Sequence, residues 1–376
     1  MPSELPELNT ILHSGALAFG NHGKRFEQKL SSYVGAEYLT LVNSFNSAVL
    51  VTLLTLGVNS EDEVIASPMA CLASNQPIMT IGAKVVWADI DPTTGTLDPQ
   101  SVRQKITSKT KAIFHNHFCG YPGYIDEINS IGNEFGIPVV DDAIEAFGSE
   151  YKGKIVGCTG TDVTMYSFQA VRLPTTIDGG AVVFKSKELY EKSLLVRDSG
   201  INRKYFRDNL GEINSECDIT VPGFGATMSE LNSYIGFEQM KYVGALVEKQ
   251  RDNARSWTEW LHENFPHYKE LNNRKETNPN FWVYGILADN KVKAINKFRD
   301  LGYYASGVHL PNTYYTVFGK RESLLGVNEF HSRFVAIPSG WWVEQIWSRK
   351  MEITESQNHD LNLNNKNIAA NFVEKL

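Results

Sequence analysis

The feature that most constrains this chain is a regular exchange of two periodicities across residues 37–184. Short β-branched runs alternate there with stretches whose apolar residues recur at helical spacing. Strands are expected at Tyr38 to Val42, Glu63 to Ala66, Lys84 to Ala88, Ala112 to Asn116, Pro138 to Asp141, Val163 to Ser167 and Ala181 to Phe184. Helices are expected between them at Asn46 to Gly57, Leu72 to Ile81, Pro99 to Lys105, Ile125 to Phe135 and Lys187 to Asp198, several closed by a glycine. Such alternation specifies an α/β fold, a mostly parallel sheet covered by helices. A long helical pattern follows from Ser229 to His262, and after the polar stretch Asn272 to Asn280 the chain resumes as a smaller α+β unit with an Asn/Lys-rich tail. The expected division is a large α/β domain over residues 1–250 and a small C-terminal α+β domain over 251–376, with the boundary near 245 to 275.

Charge narrows the partners. With 36 Lys+Arg against 43 Asp+Glu, the formal charge is −7, and a mildly acidic surface does not attract phosphate backbones, so nucleic acid is disfavoured. The apolar windows, such as Ser47 to Val58, fall short of the roughly 18 residues that span a bilayer. The opening Met1-Pro2-Ser3-Glu4-Leu5-Pro6 is acidic and broken by proline, unlike a basic-then-apolar leader. A cytoplasmic location away from membranes is the expectation. Cys71, Cys119, Cys158 and Cys217 are far apart, without a CxxC pair or zinc-ligand spacing, so neither a metal site nor a disulfide framework is expected.

Three segments could carry chemistry. In Val42-Asn43-Ser44-Phe45-Asn46-Ser47-Ala48 a strand stops in small polar residues and a helix begins at once. Free N–H groups at a helix N-terminus suit a phosphate, although the same residues also make a good helix cap. Val139-Val140-Asp141-Asp142 leaves two acids at the C-terminal end of an apolar strand, the edge where open α/β sheets bind ligands. Neighbouring strand residues face opposite ways, so one of the two at most enters a given site, where a buried carboxylate needs a cationic partner. The third segment, Tyr166 to Gly180, is a strand, a hydroxyl-rich turn holding Arg172, and a glycine pair. Together they suit a phosphorylated heterocycle that can be protonated.

In order and spacing these segments resemble the DegT/DnrJ-type sugar aminotransferases, pyridoxal-phosphate enzymes of the aspartate-aminotransferase fold (fold type I). Further matching stretches are Gly82 to Pro92, Thr107 to Gly120, Pro138 to Gly148, Asp178-Gly179-Gly180, Met228 to Gly236, Val308-His309-Leu310-Pro311 and Ile337 to Trp342. The resemblance implies pyridoxal 5'-phosphate or pyridoxamine 5'-phosphate, a nucleotide-linked sugar substrate, a role in polysaccharide biosynthesis and a homodimer with sites at the subunit boundary. It places Asp142 on the pyridinium nitrogen, the Phe45 and Asn46 amides and the Ser167 hydroxyl on the phosphate, and Glu145 and Cys71 against the ring. Glu145 stands where the family usually has Gln, His or Ser, and Cys71 where many members stack an aromatic ring. Gly225 and Thr227 occupy the two positions where an Asn reaching the neighbouring subunit's phosphate is looked for.

The largest departure is Arg172, at the position of the family's Schiff-base lysine. A guanidinium stays protonated and is a poor nucleophile, so it supplies neither the internal aldimine nor a general base. Lys185 and Lys187 lie past the next strand, toward the opposite sheet edge. Three readings follow. One is an enzyme using a non-covalent cofactor on a keto sugar, resembling GDP-4-keto-6-deoxymannose 3-dehydratase, in which histidine holds this position; Glu145, His117 or His309 would then be the base. Another is a non-catalytic descendant that binds a sugar nucleotide or a partner, with Arg172 as an anion clamp. The last is an engineered Lys-to-Arg variant of a sugar aminotransferase. The balance favours an enzyme, with Arg172 and Asp142 at its centre and His309 as a possible substrate contact. His115 and His117 share a strand face, but a metal there needs a third ligand. Trp341-Trp342 reads as packing more than as a sugar platform, and Tyr314-Tyr315 stays unassigned.

Overall fold

The computed structural model describes residue 2 and residues 4–272 and 274–343; the Asn/Lys-rich tail lies outside the described residues. Strands β1 (Tyr38–Val42), β2 (Glu63–Ala66), β3 (Lys84–Trp87), β4 (Thr110–Asn116), β5 (Val139–Asp142), β8 (Val163–Ser167) and β9 (Gly180–Phe184) form one sheet in the order β1-β9-β8-β5-β4-β2-β3. Between β5 and β8 the short strands β6 (Glu150–Tyr151) and β7 (Lys154–Ile155) make a separate hairpin. β3, β2, β4, β5 and β8 run parallel, whereas β9 is antiparallel to both β8 and β1. This mixed but mostly parallel seven-stranded sheet is the aspartate-aminotransferase-like architecture expected from the sequence. The expected elements form close to their anticipated limits.

The register gathers the chemistry-bearing segments on one edge. Val42 and Ser167 both pair with Gly180, and Met165 pairs with Asp142. The ends of β1, β8 and β5 therefore meet at the same rim. Gly180 permits this: a Cβ there would stand 2.7 Å from the Tyr166 carbonyl oxygen. At the far end of β9 Phe184 pairs with Val163, so Lys185 follows at the opposite rim.

Alternation along these strands fills two cores. Val42, Met165 and Val182 join Phe45, Val49 and Leu53 on one face of the sheet. Their neighbours Leu41, Tyr166 and Val183 join Phe26, Leu30 and Phe147 on the other. The smaller unit has a three-stranded antiparallel sheet of β10 (Lys269–Glu270), β12 (Tyr284–Leu287) and β13 (Phe334–Ile337), while β11 (Thr277–Asn278) pairs with β6. The helix Glu230–Asn264 is continuous across residue 250. It gives Val243 and Val247 to a core of the large sheet, and Ala254, Trp257 and Trp260 to a separate core with Tyr284 and Phe298. Full burial of a side chain such as Phe298 contributes roughly 1.5–3 kcal/mol. Among the described residues no helix is long and apolar enough to cross a membrane.

Candidate active site

The helix Phe45–Thr55 starts where β1 stops, and Ser44 caps it, its side chain accepting a hydrogen bond from the Ser47 amide at 3.1 Å. Phe45 is buried in the core beneath, whereas Asn46 is exposed beside the rim. The Gly223–Met228 segment lies against this helix start within the same chain: Asn43 donates its amide N–H to the Ala226 carbonyl, and its side chain reaches the Gly225 carbonyl.

Asp141 and Asp142 part company as strand alternation requires. The buried Asp141 accepts from His115 Nδ1 at 3.1 Å, and His117 Nε2 lies 3.3 Å from the same oxygen. Burial alone would raise its pKa, but the two imidazoles hold it well below the usual carboxylate range. His117 Nδ1 is meanwhile taken by the Gly123 amide. His115, His117 and Asp141 are thus a buried cluster that brings the two histidines the third polar partner their strand alone does not supply; His117, with Nδ1 bonded to Gly123 and Nε2 beside Asp141, does not border the cavity described below.

Asp142 turns the other way and is 2 % exposed. Its Oδ1 accepts from the Ile144 amide at 3.2 Å, and no Lys or Arg pairs with it among the described residues. Burial raises it to about 6, against the partial relief given by Ser74 and the Ile144 amide. A buried acid without a cation is what a protonated ring nitrogen would complete, so the residues at this rim fit the pyridine of the expected cofactor on that side. Ser167, also buried, sits at the adjacent strand end.

The turn after Ser167 is pinned by Thr176, whose amide donates to the Phe168 carbonyl, and by Gln239, whose Oε1 accepts from the Thr175 amide. This projects Arg172 inward, with its side chain 6 % exposed. Its guanidinium carbon stands 4.4 Å from the Trp282 ring centre, and Nη2 lies 3.7 Å from Glu145 Oε1 and 3.8 Å from Cys71 Sγ. Nε and Nη1 are buried without an acceptor among the described residues.

Glu145 is the anion of this group. One oxygen accepts from the Cys119 amide at 2.8 Å, and the other lies 2.8 Å from His309 Nε2 and 3.6 Å from Cys71 Sγ. Burial would raise Glu145, but His309, Arg172 and the Cys119 amide bring it down to about 2. In the same way burial would lower His309, yet Cys71 and Glu145 beside it push it well up, so Glu145 and His309 each favour the other's charged form. Asn280 fixes the Glu145 backbone by donating to the Glu145 and Phe147 carbonyls at 2.8 and 3.0 Å.

A cavity of about 470 Å³ opens beside this network, bordered by Glu145, Ser167, Arg172, Trp282, Trp341 and Trp342 among others, and among the described residues no lysine lines it. The sequence reading assigned Trp341 and Trp342 to packing; they also form cavity wall, edge to face with ring centres 5.9 Å apart. Of the expected site residues, Arg172, Glu145, Cys71 and His309 converge; Asp142, Ser167, Phe45 and Asn46 stand along the rim. Trp282, Asn280, Gln239 and Ser74 were not anticipated. Only Ser74, at the start of the helix Leu72–Thr80, lay in a segment whose pattern could have suggested it.

A helix start beside a strand-end acid, on a mostly parallel sheet and facing a loop that holds the inward cation, defines a cofactor-binding α/β fold of the aminotransferase type. Comparison with known proteins agrees. The DegT/DnrJ/EryC1/StrS aminotransferase family is matched over residues 2–342. The uncharacterized protein MJ1066 of Methanocaldococcus jannaschii is 31 % identical over 256 residues, 68 % of this chain and 66 % of that protein's length. Two solved structures share the fold at a TM-score of 0.85: the sugar aminotransferase CalS13 from Micromonospora echinospora, 25 % identical over 92 % of this chain and 94 % of its own, and AtS13 from Actinomadura melliaura, 28 % identical over 92 % of each. The chain belongs to the DegT/DnrJ/EryC1/StrS aminotransferase family.

Proposed function

We propose that this protein binds pyridoxal or pyridoxamine 5'-phosphate without a covalent link and acts on a nucleotide-linked keto sugar, as a homodimer in the cytoplasm. The observation that carries this reading is Arg172, which reaches into the site from the loop after Ser167 while among the described residues no lysine lines the cavity. Asp142 would hold the ring nitrogen, the Phe45 and Asn46 amides with Ser167 the phosphate, and Cys71 and Glu145 the ring faces and edge. When bound, such a cofactor supplies an electron sink for a carbanion. The chain's own part is then to exclude water and to move a proton. Glu145 and His309, 2.8 Å apart, are the pair able to do so, whereas the buried His117, engaged with Asp141 and Gly123, is set aside. Without a lysine amine, this arrangement supports dehydration of the sugar over amino transfer. Leu210, Ile213 and Ile219, all exposed, favour a second copy covering that surface.

A second reading, a non-catalytic binder of sugar nucleotides, draws on the two guanidinium nitrogens of Arg172, Nε and Nη1, that have no acceptor among the described residues and await one such as a phosphate or carboxylate. An engineered lysine-to-arginine change would account for Arg172 alone and leave Cys71 and Glu145 without a reason. The test is absorbance on adding each cofactor form, then borohydride treatment and intact mass. Non-covalent binding with no mass increase, followed by turnover of a keto-sugar nucleotide, supports the enzyme reading. A borohydride-fixed adduct contradicts it, and failure of both forms to bind at micromolar concentration favours the binder.

A further inference from the structure

The three departures from the family pattern, Cys71, Glu145 and Arg172, are distant in sequence and adjacent in space. With His309, the first two place one sulfur, one carboxylate oxygen and one imidazole nitrogen at a single point. Sγ lies 3.4 Å from His309 Nε2 and 3.6 Å from Glu145 Oε1, and the nitrogen and oxygen are 2.8 Å apart. Tetrahedral Zn²⁺ with metal–ligand distances of about 2.0–2.3 Å separates such donors by roughly 3.3–3.6 Å. Both edges through sulfur already match, and the third opens by about half an ångström once the proton shared by Glu145 and His309 leaves. We infer that Cys71, Glu145 and His309 form a binding site for a divalent transition-metal ion, Zn²⁺ or its like, with a fourth position open to water or an anion.

Neighbouring groups fix Glu145 by a hydrogen bond and His309 by ring contacts. The Cys119 amide occupies Glu145 Oε2 and leaves Oε1 to face the other two donors. The His309 ring is parallel to Trp282 within 8° and meets the edge of Phe118. Asn312 ties the two contributing loops together, donating its side-chain N–H to the Ala70 carbonyl and its amide to the Pro68 carbonyl. One thiolate, one imidazole and one carboxylate favour zinc or cobalt over the harder magnesium and calcium. Binding releases the Cys71 thiol proton and the Glu145–His309 proton, so thiolate and carboxylate balance the ion's two charges. Arg172 remains beside them with two buried nitrogens, Nε and Nη1, lacking an acceptor among the described residues, which an oxygen ligand in the fourth position would supply.

The inference does not rest on the proposed cofactor chemistry. Cys71 and Glu145 belong to both sites, so metal and cofactor ring compete for one space. The test uses the full chain, stripped with chelator and titrated with Co²⁺ and Zn²⁺. One equivalent of Co²⁺ with thiolate-to-metal charge-transfer absorption is expected, displaced by Zn²⁺. Cys71→Ser should lose the charge-transfer band, and Cys71→Ser and His309→Ala should each weaken binding about 100-fold, while Cys217→Ser leaves both unchanged. Absence of one-to-one binding, or a band that survives Cys71→Ser, overturns the site; if Cys71→Ser does not fold, His309→Ala decides by the same affinity criterion. Pyridoxamine phosphate binding is measured separately without metal. If the cofactor binds and Co²⁺ does not, this inference fails alone; if Co²⁺ binds and neither cofactor form does, the cofactor reading fails alone.

Discussion

Arg172 stands over the face of Trp282, its guanidinium carbon 4.4 Å from the ring centre, with Nη2 3.7 Å from Glu145 Oε1. A cation held between an aromatic face and a carboxylate is fixed in place and stays charged. This arrangement keeps a fixed positive point beside Glu145 and Cys71 at the centre of the site.

Arg172→Lys tests the proposed non-covalent binding directly. The variant is expected to form a covalent adduct with pyridoxal phosphate, seen as a new visible absorbance band and a borohydride-fixed mass increase, and the chain with Arg172 is expected to give neither. Lysine keeps the charge but loses the guanidinium's contact with the Trp282 face, so a small loss of thermal stability should accompany the gain.

Trp282→Ala removes the surface against which both Arg172 and His309 rest. A loss of about 1–3 kcal/mol in urea unfolding is expected, with Trp282→Phe recovering most of it. Equal losses in the two variants would show that the aromatic face is not what matters.

Asp142→Asn should stabilise the cofactor-free protein near neutral pH. The native acid is raised to about 6 by burial, above its unfolded value, so the folded state binds more protons than the unfolded one between about pH 4 and 6 and stability falls across that window as pH rises. Removing the charge lifts this cost, at most about 3 kcal/mol above pH 6. Thermal melts should show the variant ahead at pH 7.5 and level with the natural chain near pH 4, and cofactor affinity should drop. A variant less stable at pH 7.5 would contradict the orphaned-acid description.

Asp141→Asn should do the reverse. Its carboxylate is held below the usual range by His115 and His117, so its contribution is present above about pH 4 and is lost as the medium becomes more acidic. Breaking the buried cluster is expected to destabilise by about 3 kcal/mol at neutral pH. Denaturant midpoints for the two neighbouring Asp-to-Asn variants, moving in opposite directions, check both assignments together.

The sheet was legible because its strands and helices are coded locally. The run Val163 to Ser167 and the glycine pair Gly179-Gly180 announce a strand, a turn and a return without reference to anything distant. Asp142 was legible for the same reason: strand alternation splits two adjacent acids whatever surrounds them. The convergence of Cys71, Glu145 and His309 was not, since no periodicity links positions 74 and 164 residues apart. Trp282 carried no pattern at all; its role exists only because β12 and the loop before it fold back against the turn after β8. The pairing of β11 with β6 likewise depends on long-range closure of the chain, and two-residue strands offer no periodicity to read.

The helix Glu230–Asn264 is a spine common to both cores, with Val247 seated in one and Trp257 in the other. A rod with that double anchorage lets neither half come apart alone. Heating should therefore give a single cooperative transition, and a proline placed midway along it should loosen the Trp282 side of the pocket and the Ser167 side at once.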